Sequence, residues 1–233
     1  MENPAAATRT HEEACGRVAA HFRQRWLRHY VGSKLRSDPV FAAAFDLLRD
    51  SEEPILDVGC GVGLLAFYLR ARGCRQPIAG LDVDGRKIRQ ACAAARDSGL
   101  EFSEHDVRNA LPAFRGNVAI FDLLHYLEPA RQETLLRELG AFVPPGGRLV
   151  LRDCPRDGSL RYWLTRAGEV FAQTISWNWK TPLHFPSRSS IQAAFPEEEF
   201  NREETPSWGR TPFNNRLFVF QRKPISSHQK TQL

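Results

Sequence analysis

The chain has 233 residues, 42% of them hydrophobic, and a formal net charge of +5 at pH 7. That length fits one domain of ordinary size with appendages, the apolar content supports a real core, and no apolar run is long enough for a transmembrane helix. The positive charge is spread as scattered arginines, densest in RVAAHFRQRWLRHY, where a solvated helix face accounts for them better than a nucleic-acid surface.

The five cysteines, Cys15, Cys60, Cys74, Cys92 and Cys154, form no C-x-x-C pair, so neither a metal site nor a redox motif is expected, and structural thiols in a reduced compartment fit best. The opening MENPAAATRTHEEACGR lacks the basic and apolar regions of a signal peptide, which makes a cytoplasmic location the expectation. In chain order, residues 11–30 are rich in helix formers, and Val18, Phe22, Trp26 and Tyr30 repeat at helical spacing. Ser37 or Asp38 is placed to cap a further helix whose first turn holds Pro39. The first fifty residues therefore read as a helical cap ahead of the main sheet.

From residue 54 the pattern alternates. PILDV, PIAGLDV, LEFSEHD, NVAIFDLL and RLVLRD read as five strands. Between them lie helices over 63–72, over GRKIRQACAAARDSG with Gly99 as its stop, and over PARQETLLRELGAFV. Repeated strand–helix units imply a parallel sheet with helices on both faces, and ligands of such sheets sit at the carboxyl ends of the strands. Beyond Asp153 come a helix in GSLRYWLTRAGEVFAQTI, an aromatic lid over about 155–190, a short helix in SSIQAAF, and a closing antiparallel pair in EEEFNREETPSW and NNRLFVFQRK. Residues 224–233 read as a flexible tail, which leaves 51–223 as the main domain.

The junction ILDVGCGVGLL holds the clearest chemistry. Gly59, Gly61 and Gly63 alternate after a strand that contains Asp57, and a helix follows. A dinucleotide loop has the form G-x-G-x-x-G; here the third glycine comes one position early, and a carboxylate at Asp57 would repel a pyrophosphate while suiting an ammonium or sulfonium. With these residues, the stretch resembles the first motif of class I S-adenosylmethionine-dependent methyltransferases. The companions appear in order: Asp82 in IAGLDVDG, Asp106 and Val107 in SEHDV, IFDLLHYL, and PPGGRLVLRD.

The resemblance covers 50–153 and implies a Rossmann-like α/β fold: a mostly parallel seven-stranded sheet with an antiparallel last strand. It also implies S-adenosylmethionine as cofactor, with Asp57, Gly59, Cys60, Gly61, Gly63, Asp82, Val83, Asp106, Val107, Asp122 and Leu123 around it. Asp82 would hold the ribose hydroxyls and Asp106 the adenine amino group. One departure is that Gly116 and Asn117 stand where the fourth strand often starts with an acid after an aromatic residue.

KLRSDPVF, DLLHYL and TPFNNRLFVF are together similar to a group of bacterial small-molecule methyltransferases, some from aryl-polyene and other polyketide-like pathways, which implies an aromatic or acyl acceptor. His125 is the candidate base, with an ordinary pKa of about 6.5 suited to proton removal near neutrality, or else a residue that shapes the pocket. Tyr126 orients a substrate or packs. Tyr30, Lys34, Asp153 with Arg152, Trp177 and Asn214 are candidate acceptor contacts, and Trp163, Trp179, His184 and Phe185 could roof an aromatic one. The competing readings are an NAD(P)-dependent oxidoreductase and a non-catalytic regulatory subunit that binds S-adenosylmethionine. A small-molecule partner is expected, with neither membrane nor nucleic acid.

Overall fold

The computed structural model describes residues 9–95, 99–175, 182–209 and 211–224, with backbone alone over 171–175. Seven strands belong to one mixed sheet in the order β3-β2-β1-β4-β5-β7-β6, the Rossmann-like arrangement expected from the resemblance. The chain divides into two compact units, 1–107 and 108–233.

In the first unit, α1 (His11–Ala20) starts at a capping box: Thr10 Oγ1 accepts the Glu13 N–H, and the Glu13 carboxylate accepts the Thr10 N–H. The stripe from Val18 to Tyr30 does not form one face. The chain breaks between α1 and α2 (Arg25–Ser37), the break resets the helical phase, and Trp26 and Tyr30 end exposed while Leu27, Val31 and Leu35 take the buried face. α3 (Val40–Leu48) begins after Pro39, and Asp38 Oδ1 accepts the Val40 N–H at 3.1 Å; Ser37 is the last residue of α2.

β1 (Ile55–Val58), β2 (Ile78–Asp82) and β3 (Leu100–Glu104) run parallel, with Asp57 opposite Gly80 and Asp82 opposite Glu104. α4 (Leu64–Arg72) follows β1. Its first six residues are buried, which explains the unbroken apolar run LLAFYL: β2 lies on one side, and α1 and α3 pack on the helix. His11 Nδ1 and Tyr68 Oη are 2.8 Å apart, and Phe22 meets Phe67 edge-on. α5 (Gly85–Ala94) stops short of the expected Gly99. Ala95 is already extended, and the Gly99 carbonyl accepts the Ile78 N–H, so Gly99 leads into β3 rather than closing the helix.

In the second unit, β4 (Asn117–Phe121) and β5 (Arg148–Asp153) are parallel, with α6 (Pro129–Phe142) between them in sequence. Buried Asn117 accepts the Arg148 N–H on its side-chain oxygen at 2.8 Å, a use for the residue that departs from the family pattern. α7 (Leu160–Ile175) and α8 (Arg188–Ala193) precede β6 (Phe200–Pro206) and β7 (Arg216–Arg222). β7 is antiparallel to both β5 and β6, as expected for the closing pair.

Phe195 is fully buried here, stacked on Phe220 with ring centroids 3.9 Å apart and edge-on to Phe200. Phe195→Ala is expected to cost about 3–5 kcal/mol of unfolding free energy. Urea unfolding of the two proteins checks this; a loss under 1 kcal/mol would show that the cluster repacks.

Candidate active site

The glycine loop is built from the first unit alone. Gly59, Gly61 and Gly63 all have positive φ, at 79°, 58° and 81°. Gly63 is required twice over: it enters α4 in a left-handed conformation, and a Cβ there would stand 2.7 Å from the Phe102 ring. Gly61 differs, because a Cβ on it would meet nothing within 4 Å, so the loop faces open space at that residue. The Gly59 and Cys60 N–H groups both donate to the Leu81 carbonyl, and the Gly63 N–H to the Cys60 carbonyl. Burial pushes the Cys60 thiol up, so it is neutral packing beneath the loop.

Asp82 ties the loop to the end of β2. Its Oδ2 accepts the Gly61 N–H and its Oδ1 the Asp84 N–H, both at 2.8 Å. A carboxylate has about four acceptor positions, so two remain for a ligand hydroxyl. Val83 is exposed beside it, Asp106 is half-buried and Val107 buried. Asp57 is 3% exposed, and among the described residues no hydrogen bond or cation meets its carboxylate. Burial, aided by the Asp82 charge, pushes its pKa up to about 7. A buried acid without a counter-charge, next to a loop facing open space, fits a ligand that carries its own positive charge.

The second unit gathers a different set. Asp122, the one non-glycine residue with positive φ among those described, follows β4 at φ 53°. The buried Arg152 guanidinium holds it through a double contact, Nε to Oδ1 at 2.9 Å and Nη2 to Oδ2. Leu123 then leads into a short 3-10 turn over Leu124–Tyr126. Asp153 has no exposed surface, and its carboxylate accepts the Leu124 N–H, the Cys154 N–H and His125 Nδ1, at 2.9, 2.8 and 2.9 Å.

His125 is 3% exposed and stacked on Phe185 at 5.2 Å, and Tyr162 meets Phe185 edge-on. Its Nε2 is buried without a hydrogen-bond partner. Burial disfavours the imidazolium, yet the Asp153 charge and hydrogen bond outweigh it, with Glu169 and Asp122 adding, and together they lift the pKa from 6.5 to about 9. Tyr126 donates its hydroxyl to Glu169 Oε2 at 2.8 Å.

The remaining candidates separate. Asn214 is buried and both amide contacts are structural, to the Pro155 carbonyl and to Asp157, so it clasps the segment after β5. Tyr30 is exposed on α2, and Lys34 pairs with Asp38 at 2.8 Å. Trp163 is exposed on α7, under the Arg166 guanidinium. His184 reaches Glu128 through Nε2 at 3.1 Å. Trp177 and Trp179 lie outside the described residues. Glu169 and Gln132, whose side-chain amide donates to the Leu124 and Leu127 carbonyls, were not singled out from sequence; polar residues on amphipathic helices carry no local mark of what they face.

The sign of the Asp57 effect follows from its raised pKa. The folded chain keeps that proton up to about pH 7, whereas an unfolded carboxyl loses it near pH 4, so stability is present below 4 and falls as pH rises through 7. Asp57→Asn is expected to abolish this slope and to stabilise the free chain by about 1–3 kcal/mol at pH 8. It should also weaken S-adenosylmethionine binding, whose affinity in the unchanged chain should rise from pH 6 to pH 8. Denaturant midpoints and calorimetric titrations at both pH values check the pair.

Residues 55–147 match the family model described as a methyltransferase domain. An uncharacterized methyltransferase of Mycobacterium tuberculosis is 32% identical over 114 residues, 46% of this chain and 56% of that protein. The ubiquinone biosynthesis O-methyltransferase of Methylocella silvestris is 35% identical over 136 residues, 55% of this chain and 48% of its own length. The chain thus spans from about a third to a little over half the length of the curated relatives it matches, among which are also ribosomal-protein and ribosomal-RNA methyltransferases. Among solved structures, magnesium protoporphyrin IX methyltransferase from Synechocystis PCC 6803, with bound S-adenosylhomocysteine, shares the fold at a TM-score of 0.62 and 18% identity, over 89% of this chain and 92% of that one. Residues 55–147 are a methyltransferase domain of the class I, S-adenosylmethionine-dependent kind.

Proposed function

We propose that the chain transfers a methyl group from S-adenosylmethionine to a small aromatic or acyl-type acceptor, with His125 taking the acceptor's proton. The observation that carries this reading is the buried His125–Asp153 pair, with Nδ1 held by the carboxylate and Nε2 left without a partner between aromatic side chains. Relatives with small and with macromolecular acceptors both exist, so the acceptor class rests on that aromatic lining and on the resemblance of the three short motifs.

The cofactor supplies an activated methyl on a sulfonium, so the chain has to align the acceptor, exclude water and move one proton. In this reading Asp57 faces the positively charged end of the cofactor, the Gly59–Gly63 loop cradles it closely, and Asp82 takes the ribose hydroxyls. Asp106 and Val107 meet the adenine, and Val83 stands beside Asp82. Asp153 fixes the imidazole so that Nε2 is the nitrogen presented to the acceptor. Phe185 and Tyr126 confine the ring, and Asn214 acts through the loop it holds.

Calorimetric titration with S-adenosylmethionine and with NAD(H) tests the cofactor. Binding of NAD(H) alone would sink the proposal, and cofactor binding without transfer to any phenolic or acyl acceptor would favour the regulatory-subunit reading. Gly61→Arg is expected to abolish cofactor binding by filling the open side of the loop while the protein stays folded. His125→Ala should keep cofactor affinity and lower the transfer rate by about 10²–10⁴-fold. The base must be neutral, and its pKa is about 9, so the rate should rise with pH from 7 to 9 and level off above. A flat profile in initial-rate measurements would remove His125 as the base.

A further inference from the structure

α7 brings a second carboxylate to the imidazole. Glu169 Oε2 accepts the Tyr126 hydroxyl at 2.8 Å and stands 3.8 Å from His125 Nε2, the one nitrogen of the ring that makes no hydrogen bond. The separation is too long for a hydrogen bond and short enough for a strong charge interaction beside a buried group. We propose that Glu169 is a positioning residue for His125: its carboxylate, kept 3.8 Å from Nε2 by its bond to the Tyr126 hydroxyl, governs whether that nitrogen keeps its proton. The proposal rests on the reading of His125 as the base, which it deepens.

Among the described residues, groups from five segments face the ring. From β5, Asp153 bonds Nδ1, and the thiol of Cys154 is neutral, pushed up to about 12 by burial. From the end of β4, Asp122 adds negative charge, already clasped by Arg152. From the 3-10 turn, Tyr126 lies against the ring with centroids 4.3 Å apart. From 182–187, Phe185 stacks on it, while His184 donates its backbone N–H to the His125 carbonyl and turns its ring to Glu128. From α7, Glu169 approaches Nε2, the atom that a substrate proton must reach in the proposed reading.

That placement makes Glu169 a control on the base. While its oxygen stands over Nε2, it favours the imidazolium, which accepts no proton. An acceptor O–H or N–H that enters beside Nε2 comes within reach of the same oxygen. If Glu169 swings toward it and away from the ring, the imidazole proton is held less tightly, and the base is released only when an acceptor is present. Tyr126 sets how readily the carboxylate swings, because its hydroxyl holds the same Oε2.

The test is an NMR titration of the histidine ring protons in the free, full-length chain, with the His125 signal identified by its loss in His125→Gln. The expected midpoint is near 9 in the unchanged protein. Glu169→Gln, which keeps the shape and an acceptor oxygen for Tyr126, should lower it by about one pH unit or more. Tyr126→Phe frees Oε2 to close on Nε2 and should raise it. The alkaline rise of the transfer rate should move in the same directions. An unchanged midpoint in folded Glu169→Gln overturns the proposal. Should that variant fail to fold, Tyr126→Phe decides alone, and an unchanged or lowered midpoint overturns it. The titration needs neither cofactor nor acceptor, so its failure leaves the methyltransferase reading intact, whereas shifted midpoints in a chain that methylates nothing would fault that reading instead.

Discussion

A carboxylate withdrawn from water must find hydrogen bonds and charge inside the protein, and Asp153 shows what that demand does to a chain end. It has no exposed surface, and it is satisfied by two backbone N–H groups and an imidazole nitrogen, two of the three donors lying about thirty residues earlier in sequence. One acid at the end of β5 thereby holds the turn after β4 and the imidazole of His125, and leaves Nε2 as the ring nitrogen without a hydrogen bond. Arg152, its neighbour, does the parallel task for Asp122, whose left-handed backbone would otherwise cost free energy with nothing to offset it. Consecutive residues of one strand thus hold consecutive parts of one turn.

Asp57 presents the opposite solution to the same problem. It is almost as buried as Asp153, yet no donor of the chain meets its carboxylate among the described residues, and its proton affinity rises accordingly. A protein that had only to be stable would neutralise or replace such a residue. Keeping it makes sense where a cation arrives from outside, because the cost of burial is then recovered on binding as selectivity for positive charge. A similar contrast separates two glycines of the loop. At Gly63 both the left-handed backbone and the Phe102 ring exclude a side chain, whereas at Gly61 the left-handed backbone alone asks for glycine and the side beyond it is open.

The parts legible in the sequence are those whose signal is local. Strands β1 to β5 are legible as short segments alternating with helices, and β6 and β7 as a closing antiparallel pair. The glycine loop was legible because positive φ leaves few residue choices. Helix phase was less so: the Val18, Phe22, Trp26, Tyr30 spacing is helical only if no break intervenes, and no proline marks the break that does. Gly99 misled for a related reason, since glycine before a strand and glycine after a helix look alike. The raised pKa of His125 was out of reach altogether. It depends on Asp153, Glu169 and Asp122, which lie from 3 to 44 residues away and meet only in the folded unit.

This division of signal explains why the methyl donor is easier to read than the acceptor. In the proposed reading, donor binding uses backbone and acids at strand ends, where the geometry of the sheet forces a fixed order of motifs. Acceptor binding is assigned there to α7 and the 182–187 segment, which pack through single side chains: Phe185 on His125, Glu169 on Tyr126, with Asn214 across to Asp157 close by. None of these contacts imposes a backbone conformation, so each leaves the residue choice open and no motif behind. Two of them, through Phe185 and Glu169, meet at one imidazole. Under the proposed reading, a site assembled that way changes its acceptor by exchanging a few aromatic side chains while Asp153 keeps His125 in place.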